Sequence, residues 1–591
     1  MPRAKKQIKN EKVTLSIFDI ISCNFKNSAM FLMMMMTLVL IITNLLFVCK
    51  IGITKFHLPI LYVISIAIWL LIMKKKVRRA IMGVIIATLV FFLFSFVSGK
   101  IYDMTADGNT YHKLAVGALK NGWNPIYQSV GDFHQKQGNP FDILEDNVNV
   151  KWVDHYARGT ETFGAVVYAF SENIETGKVF NILWVYIGLF ILYGIFRQMK
   201  IAEWKSILLA MVLACNPISF TQLTNYYLDG VLAISLFMII LICALQTHYE
   251  QEENKLENYG VLAMAIIWCV NVKFTGFAFA AVFAGILYLY RHIHHYHTEP
   301  KSFKAKWIYE TVYYLIVVFL SVVVVGGSTY TKNFINHGHP FYPLYGKGHV
   351  PNMVMMEIPK SMQKQNRFQI FLTGIFSKGE NVSPSYADFV NDPDFKIPFT
   401  VTKSELKNYN IPDIRVGGFG PLFSGIFLLT VLGTIYVVVD LIRNKKKDTL
   451  ILYSILLLTT LILVLGLDGS YWARYIPYLY LLPIYVLIYI MKCDWKYKMS
   501  NILSCIMIGL FLLNAGSILI IQAEFTRNHN AYIKENLSNF QKYAQEKDVV
   551  FVRLEHHGIQ GVQYTLDDLG IDNYKLTEEE KTNIGYFFQY E

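Results

Sequence analysis

The sequence has few charged residues for its length. Of its 591 residues, 16% are charged, whereas a soluble domain usually carries about 25%. Hydrophobic residues make up 54% of the chain and aromatic residues 15%. Because this composition offers little charge to water, it is typical of a protein that lies in a lipid bilayer.

Cysteine is also scarce, and its positions exclude a disulfide framework in exported loops. Most of the seven cysteines lie in or beside apolar runs, and none falls in the three longest polar segments, residues 99–178, 327–417 and 523–591. Secreted domains that depend on disulfides carry cysteines in such segments. The sequence also has no Walker loop, no Rossmann glycine pattern after a strand and no cysteine-based metal site.

The net charge of +11 does not indicate a nucleic-acid partner. Lys and Arg occur in short clusters between apolar runs, for example at residues 74–79 and 443–447, and not on a broad basic face. Short basic clusters beside apolar runs are typical of the cytoplasmic loops of membrane proteins.

Long apolar runs recur along almost the whole chain. A helix that crosses a bilayer needs about 20 mainly apolar residues, and about thirteen runs reach or approach that length. They begin near Met30, Leu58, Ala80, Val179, Trp204, Asp229, Tyr259, Phe274, Tyr309, Gly418, Leu450, Trp472 and Asn501. The two runs between Tyr259 and Tyr290 are short halves, with Asn271 and Lys273 between them.

The basic clusters predict how the chain is threaded through the bilayer. With a basic N-terminus in the cytoplasm, alternating spans place every dense basic cluster on the cytoplasmic side. The run from Met30 to Val48 is too long for a signal-peptide core, so we expect it to be retained. The sequence thus predicts an all-α, multi-pass protein of the cell membrane, with a cytoplasmic N-terminus and an extracytoplasmic C-terminus.

This threading divides the chain into six parts, with large extracytoplasmic loops and a small α/β C-terminal appendage. The parts are an N-terminal cytoplasmic segment with three transmembrane helices (1–98), a first outer loop (99–178), further transmembrane helices (179–326), a large outer loop (327–417), the C-terminal transmembrane helices (418–522) and an outer tail (523–591).

The first outer loop opens with residues suited to acid–base chemistry. Asp103 and Asp107 are followed by Tyr111 and His112 at the predicted outer end of the third span. A carboxylate held at the membrane surface could take a proton from an acceptor hydroxyl. For either acid alone, an ordinary solvated loop residue is the simpler interpretation.

Five stretches with matching order and predicted outward placement carry a family resemblance. They are Asp-Gly-Asn-Thr-Tyr-His at 107–112, Asn-Tyr-Tyr-Leu-Asp at 225–229, Asn-Val-Lys-Phe-Thr-Gly at 271–276, Thr-Lys-Asn to Tyr-Pro-Leu at 331–344 and Ser-Tyr-Trp-Ala-Arg-Tyr-Ile-Pro at 470–477. The chain here resembles the GT-C superfamily of polyprenyl-phosphate-sugar-dependent glycosyltransferases, particularly bacterial members related to protein O-mannosyltransferases and aminoarabinose transferases. It departs from them at Lys332 and His339.

The resemblance implies roles for the acids and cations. Asp107 would be the catalytic base, with Asp103 as the competing candidate, and Asp229 would be a second acid at the site. A simple helix N-cap is an equal interpretation of Asp229. Arg474 and Lys273 would hold the donor phosphate, a role that suits the forked guanidinium of arginine.

Further side chains are candidates for binding substrate. By the resemblance these are Tyr111, His112 and Tyr342. His155 and Arg158 could position an acceptor, although packing of the loop on itself explains them as well. A divalent metal (Mg or Mn) near Asp107 and Asp229 is left open, because some families of this superfamily work without one.

The expected activity is hexosyl or pentosyl transfer, with inversion, from a polyprenyl-phosphate sugar in the membrane lipid to an extracytoplasmic glycan, lipid or protein. Two other classes compete with it. A transporter or lipid flippase would predict internal repeats and broken helices near the midplane of both halves, and no repeat is found. A non-catalytic envelope-assembly protein would keep the scaffold without the chemistry.

Overall fold

The computed structural model describes residues 17–136, 148–248, 252–350, 358–381, 392–492, 498–554, 561–576, 583–586 and 588–590. The α-helices are Ile17–Val48, His57–Ile72, Val77–Gly99, Lys113–Lys120, Val130–Lys136, Val148–His155, Gly159–Ser171, Phe180–Gln198, Glu203–Ala214, Pro217–Thr221, Asp229–His248, Lys255–Val272, Phe274–Thr298, Pro300–Phe319, Lys332–His337, Arg367–Ile375, Lys403–Lys407, Phe423–Arg443, Lys447–Gly466, Leu481–Lys492, Lys498–Gln545 and Val562–Asp568. The strands are Glu380–Asn381, Ile414–Val416, Val550–Leu554, Tyr574–Leu576, Asn583–Tyr586 and Phe588–Tyr590.

Apolar helices dominate this architecture. Within the described ranges, nine helices are long and apolar enough to cross a membrane, and two shorter apolar helices, His57–Ile72 and Pro477–Lys492, accompany them. Every predicted apolar run lies in or close to a helix. The predicted all-α multi-pass architecture is therefore confirmed in outline, while the count of about thirteen spans and the side of each loop stay predictions.

The two short halves predicted between Tyr259 and Tyr290 form separate helices. Lys255–Val272 ends and Phe274–Thr298 begins on either side of Lys273, whose backbone is extended at φ −155° and ψ 146°. A Cβ atom on Gly276 would lie 2.1 Å from the carbonyl oxygen of Cys269, so the two helices turn back on each other too closely for a larger residue. This break positions the Lys273 side chain.

The last helix is much longer than a bilayer is thick. Lys498–Gln545 has 48 residues, which corresponds to a length of about 72 Å against a hydrocarbon core of about 30 Å. The predicted boundary between span and tail at residue 522 falls inside this continuous helix. The tail is thus carried on a continuous extension of an apolar helix.

The tail is small and mixed, as the sequence predicts. Its four strands are ordered Tyr574–Leu576, Val550–Leu554, Phe588–Tyr590, Asn583–Tyr586, and only the first pair is parallel. The tail docks on the first outer loop through several hydrogen bonds. The Gly561 N–H donates to the Asn109 carbonyl (3.0 Å), and the Tyr168 hydroxyl donates to Asp568 (2.6 Å).

The long helix also fixes the end of the large outer loop at residues 327–417, which is the second outer loop of the chain. Asn514 accepts a hydrogen bond from the Leu422 N–H and donates one to the Phe419 carbonyl, both at 2.8 Å. Gln522 donates to the Tyr409 carbonyl at 2.6 Å. Because buried backbone groups need such partners, these two amides determine the path of the chain between Tyr409 and Leu422.

Candidate functional site

Arg474 lies at the centre of a group of ionised side chains. Its guanidinium nitrogens are 3.0 Å from Asp229, 3.1 Å from Asp413 and 3.4 Å from Asp107. Lys273 adds a second cation, 2.7 Å from Asp229. We call Asp107, Asp229, Lys273, Asp413 and Arg474 the Arg474 cluster.

Five distant parts of the chain bring the cluster together, and one of them is the break between two helices at Lys273. Asp107 precedes the π-helical turn Gly108–His112, and Asp229 begins the membrane helix Asp229–His248. Asp413 directly precedes the strand Ile414–Val416, and Arg474 lies in the short 3-10 turn Ala473–Tyr475. The cluster therefore lies where the ends of membrane helices meet both large loops.

Aromatic rings surround the two cations. The Arg474 guanidinium carbon is 4.5 Å from the centre of the Tyr227 ring and 5.3 Å from that of Trp472. The Lys273 ammonium is 4.3 Å from the centre of the Tyr475 ring. Burial by such rings lowers the pKa of Arg474, but the carboxylates of Asp229 and Asp413 outweigh it and raise that pKa well above its usual value.

The three carboxylates differ in their access to solvent. The Asp107 side chain is 31% exposed, that of Asp413 is 18% exposed and that of Asp229 is fully buried. Asp107 also makes the longest of the three contacts with Arg474. Of the three acids, Asp107 is the one that an incoming molecule can reach most easily.

Asp103 has quite different surroundings. It is fully buried and accepts hydrogen bonds from the backbone and hydroxyl of Thr105 (2.8 and 2.7 Å) and from the Tyr226 N–H (2.7 Å). Burial raises the pKa of its carboxyl group. A Cβ atom on Gly108 would lie only 2.1 Å from the Asp103 carboxylate. Asp103 therefore supports the backbone next to Asp107 and is closed to substrate in this conformation.

Tyr111 and His112 follow on the same turn and lie in different environments. Burial and the nearby Asp107 carboxylate raise the pKa of the Tyr111 hydroxyl well above its usual value. His112 is buried, with its Nδ1 atom 2.6 Å from Glu161, which also accepts a hydrogen bond from Thr160. Tyr111 thus belongs beside the Arg474 cluster, whereas His112 is held by a neighbouring helix.

His155, Arg158 and Tyr342 form a second group. The Nδ1 atom of His155 is 2.8 Å from the Asn333 side-chain oxygen, and the Asn333 amide donates to the Tyr342 carbonyl at 2.8 Å. Arg158 is buried and donates to the Asp154 carbonyl at 2.7 Å. The His155 contact joins the two outer loops, and the His155 ring and the Arg158 guanidinium, which were predicted to position an acceptor, are engaged within the protein.

Sequence reasoning missed Asp413. It lies near the end of the second outer loop, two residues before Arg415, whose guanidinium is 3.9 Å from it. Burial raises the pKa of the Asp413 carboxyl group. A polar Asp-Ile-Arg step just before an apolar run was the available signal, and none of the five recognised stretches includes it.

The carboxylates of the Arg474 cluster bear on the question of whether a divalent metal binds near Asp107 and Asp229. In the part of the chain that the structure describes, no group of three or more His, Cys, Asp and Glu side chains is arranged to hold a metal ion. The carboxylates of Asp107, Asp229 and Asp413 converge on a guanidinium instead. The side chains that a metal would use are therefore engaged by Arg474.

The apolar helices and the partly buried ionic cluster at their ends define a multi-pass membrane protein with a candidate polar site. Comparisons with models of known families, with curated proteins and with solved structures find no match to this chain.

Proposed function

We propose that the protein is a membrane glycosyltransferase. It transfers a sugar from a polyprenyl-phosphate donor to an extracytoplasmic acceptor and inverts the anomeric configuration. The supporting observation is the contact between a solvent-accessible carboxylate, Asp107, and a mostly buried guanidinium, Arg474. The further assignment to a GT-C architecture rests on the resemblance of the five stretches.

The two side chains have complementary chemistry for this reaction. Asp107 takes the proton of the acceptor hydroxyl, and the oxygen attacks the anomeric carbon from the face opposite the phosphate. The bond between that carbon and the phosphate oxygen breaks, and the polyprenyl phosphate leaves with the electron pair. Arg474 and Lys273 stabilise the charge that develops on the phosphate, which is worth most where water is excluded.

The donor phosphate has to compete with the carboxylates that surround Arg474. The longest contact, 3.4 Å to Asp107, is the one that breaks at lowest cost. A phosphate oxygen that replaces Asp107 on the guanidinium frees the carboxylate for the acceptor hydroxyl. Donor binding and activation of the base are then coupled through one contact.

One observation favours transport of a lipid or polysaccharide as the second candidate function. Lys273 and Asp229 form a buried ion pair next to a break between two helices. Such pairs at broken helices also occur in the substrate pathways of transporters. A flippase would move the lipid-linked sugar without breaking its bond to phosphate.

Purified protein in vesicles, incubated with a panel of radiolabelled polyprenyl-phosphate sugars, separates these proposals. We expect donor hydrolysis or transfer with the wild type and its loss in Asp107→Asn. The matched control is Asp132→Asn, an exposed acid of the same outer loop that should retain full activity. Full activity in Asp107→Asn contradicts the proposed base. Movement of intact donor across the vesicle without hydrolysis favours the flippase.

A further inference from the structure

We propose that residues 395–401, here called the apolar loop, insert into the lipid leaflet beside the helix Phe423–Arg443. This inference does not depend on the proposed chemistry. It concerns a surface of the second outer loop and its contact with lipid acyl chains.

The exposure pattern of the apolar loop is reversed relative to that of a water-facing loop. Lys396 is 2% exposed and pairs with Glu405, which is buried too. On either side of it, Phe395 is 71% exposed and Ile397 is 65% exposed. A loop that turns its charge inward and its large apolar side chains outward is suited to an apolar surrounding.

The turn at the tip of the loop also exposes a large apolar side chain. The Thr400 N–H donates to the Ile397 carbonyl at 3.3 Å and closes a turn around Pro398 and Phe399. Phe399 has a positive φ of 65°, a conformation that favours glycine. Its side chain is nevertheless large and half exposed. The turn therefore presents a large aromatic ring at the surface of the loop.

The apolar loop lies against the outer end of a membrane helix. A Cβ atom on Gly425 would meet the Phe399 ring at 2.4 Å, so the ring packs on the first turn of the helix Phe423–Arg443. The exposed apolar residues of this helix follow at helical spacing from Gly425 on one face. They are Leu428, Val431, Leu432, Ile435, Val439 and Ile442. The loop surface is therefore continuous with the lipid-facing surface of the helix.

This continuity selects lipid as the occupant. A loop beside the first turn of a spanning helix lies at the level where the acyl chains meet the headgroups, and segments that lie at this level bury side chains such as Phe and Leu. Lys403 and Lys407 are exposed immediately after the loop, where they can contact anionic headgroups. A second copy of the chain is the alternative occupant.

Photocrosslinking tests the proposal on the full-length protein. The photoreactive residue p-benzoylphenylalanine is substituted for Phe395 or Ile397, and the variants are reconstituted in vesicles of phosphatidylcholine and phosphatidylglycerol. Tyr532 provides the matched control, because it is an exposed aromatic residue on the projecting part of the long helix. Both loop positions are exposed, so the substitutions should not disturb folding, and elution on gel filtration checks this.

We expect several-fold more lipid adduct at residues 395 and 397 than at residue 532 after irradiation, measured by mass spectrometry. Equal yields at all three positions would overturn the proposal. So would adducts at the loop that consist mainly of a second copy of the chain.

Discussion

Arg474 and Asp107 are 367 residues apart in the sequence and meet at 3.4 Å. The contact joins a turn between two membrane helices to the start of the first outer loop. Arg474 also contacts the fully buried Asp229, which fixes its position. Of its three carboxylate contacts, the one with Asp107 is the most open to solvent. The proposed chemistry depends on this difference.

Arg474→Lys should keep the positive charge and lose most of the activity. An ammonium cannot contact Asp107, Asp229 and Asp413 at once, because it lacks the planar fork of the guanidinium. The loss of charge-assisted hydrogen bonds of about 1.5–3 kcal/mol corresponds to a decrease of roughly 10- to 100-fold in kcat/KM. Steady-state transfer assays measure it. Unchanged activity would mean that a single positive charge at residue 474 is enough for catalysis, without the forked geometry of the guanidinium.

Asp103→Asn should lower stability and spare the activity of the folded protein. The asparagine amide replaces a carboxylate oxygen that accepts buried hydrogen bonds from Thr105 or Tyr226. Leaving such a donor unsatisfied costs about 1–3 kcal/mol. The melting temperature in detergent should fall, whereas Asp107→Asn should leave it almost unchanged. If Asp103→Asn instead melts normally and is inactive, the two acids have exchanged roles.

The sequence predicts much of this arrangement because its signals are local. The apolar runs specify the helices, and the Asn-Val-Lys step at residues 271–273 marks the break that positions Lys273. Four of the five cluster residues, Asp107, Asp229, Lys273 and Arg474, come from recognised stretches, and the structure brings these four together. Their catalytic and binding roles stay predictions.

Long-range contacts explain what sequence reasoning could not determine. Asp413 joins the cluster because Asn514 and Gln522, about a hundred residues later in the chain, fix the path of its loop. The sequence alone also does not distinguish Asp103 from Asp107, because both are aspartates at the start of the first outer loop. The Tyr226 N–H, which donates to Asp103 from another part of the chain, closes Asp103 to solvent. Neither effect leaves a local pattern.

Lys273 and Asp229 should show strong energetic coupling. Asp229→Asn leaves the buried Lys273 ammonium without its carboxylate, which should cost about 3–5 kcal/mol. Lys273→Met should cost less, because Arg474 and Gln222 still contact Asp229. In a double-mutant cycle of unfolding free energies in mixed micelles, the coupling should reach about 1–3 kcal/mol. If the effects of the two single substitutions on the unfolding free energy were simply additive, a direct ion pair between Lys273 and Asp229 would be contradicted.

His155 should make the stability of the protein sensitive to mild acid. Burial lowers the pKa of His155 from 6.5 to about 4. Between these two pH values the His155 ring therefore binds more protons in the unfolded chain than in the folded chain. The contribution of His155 is complete above the unfolded pKa and is lost as the pH falls towards 4. Burial raises the pKa of Asp154 to about 6, so Asp154 makes the protein more stable as the pH falls. The pH dependence of wild-type stability is therefore the sum of the two contributions.

His155→Asn isolates the histidine contribution, because asparagine can still donate to Asn333. Melting temperatures in detergent between about pH 7.5 and about pH 5 should fall more steeply for the wild type than for the variant. The variant starts from a lower melting temperature, since the ring leaves a cavity. Two parallel profiles would show that the His155 imidazole is not desolvated in the folded protein, and that the junction between the two outer loops is open to water.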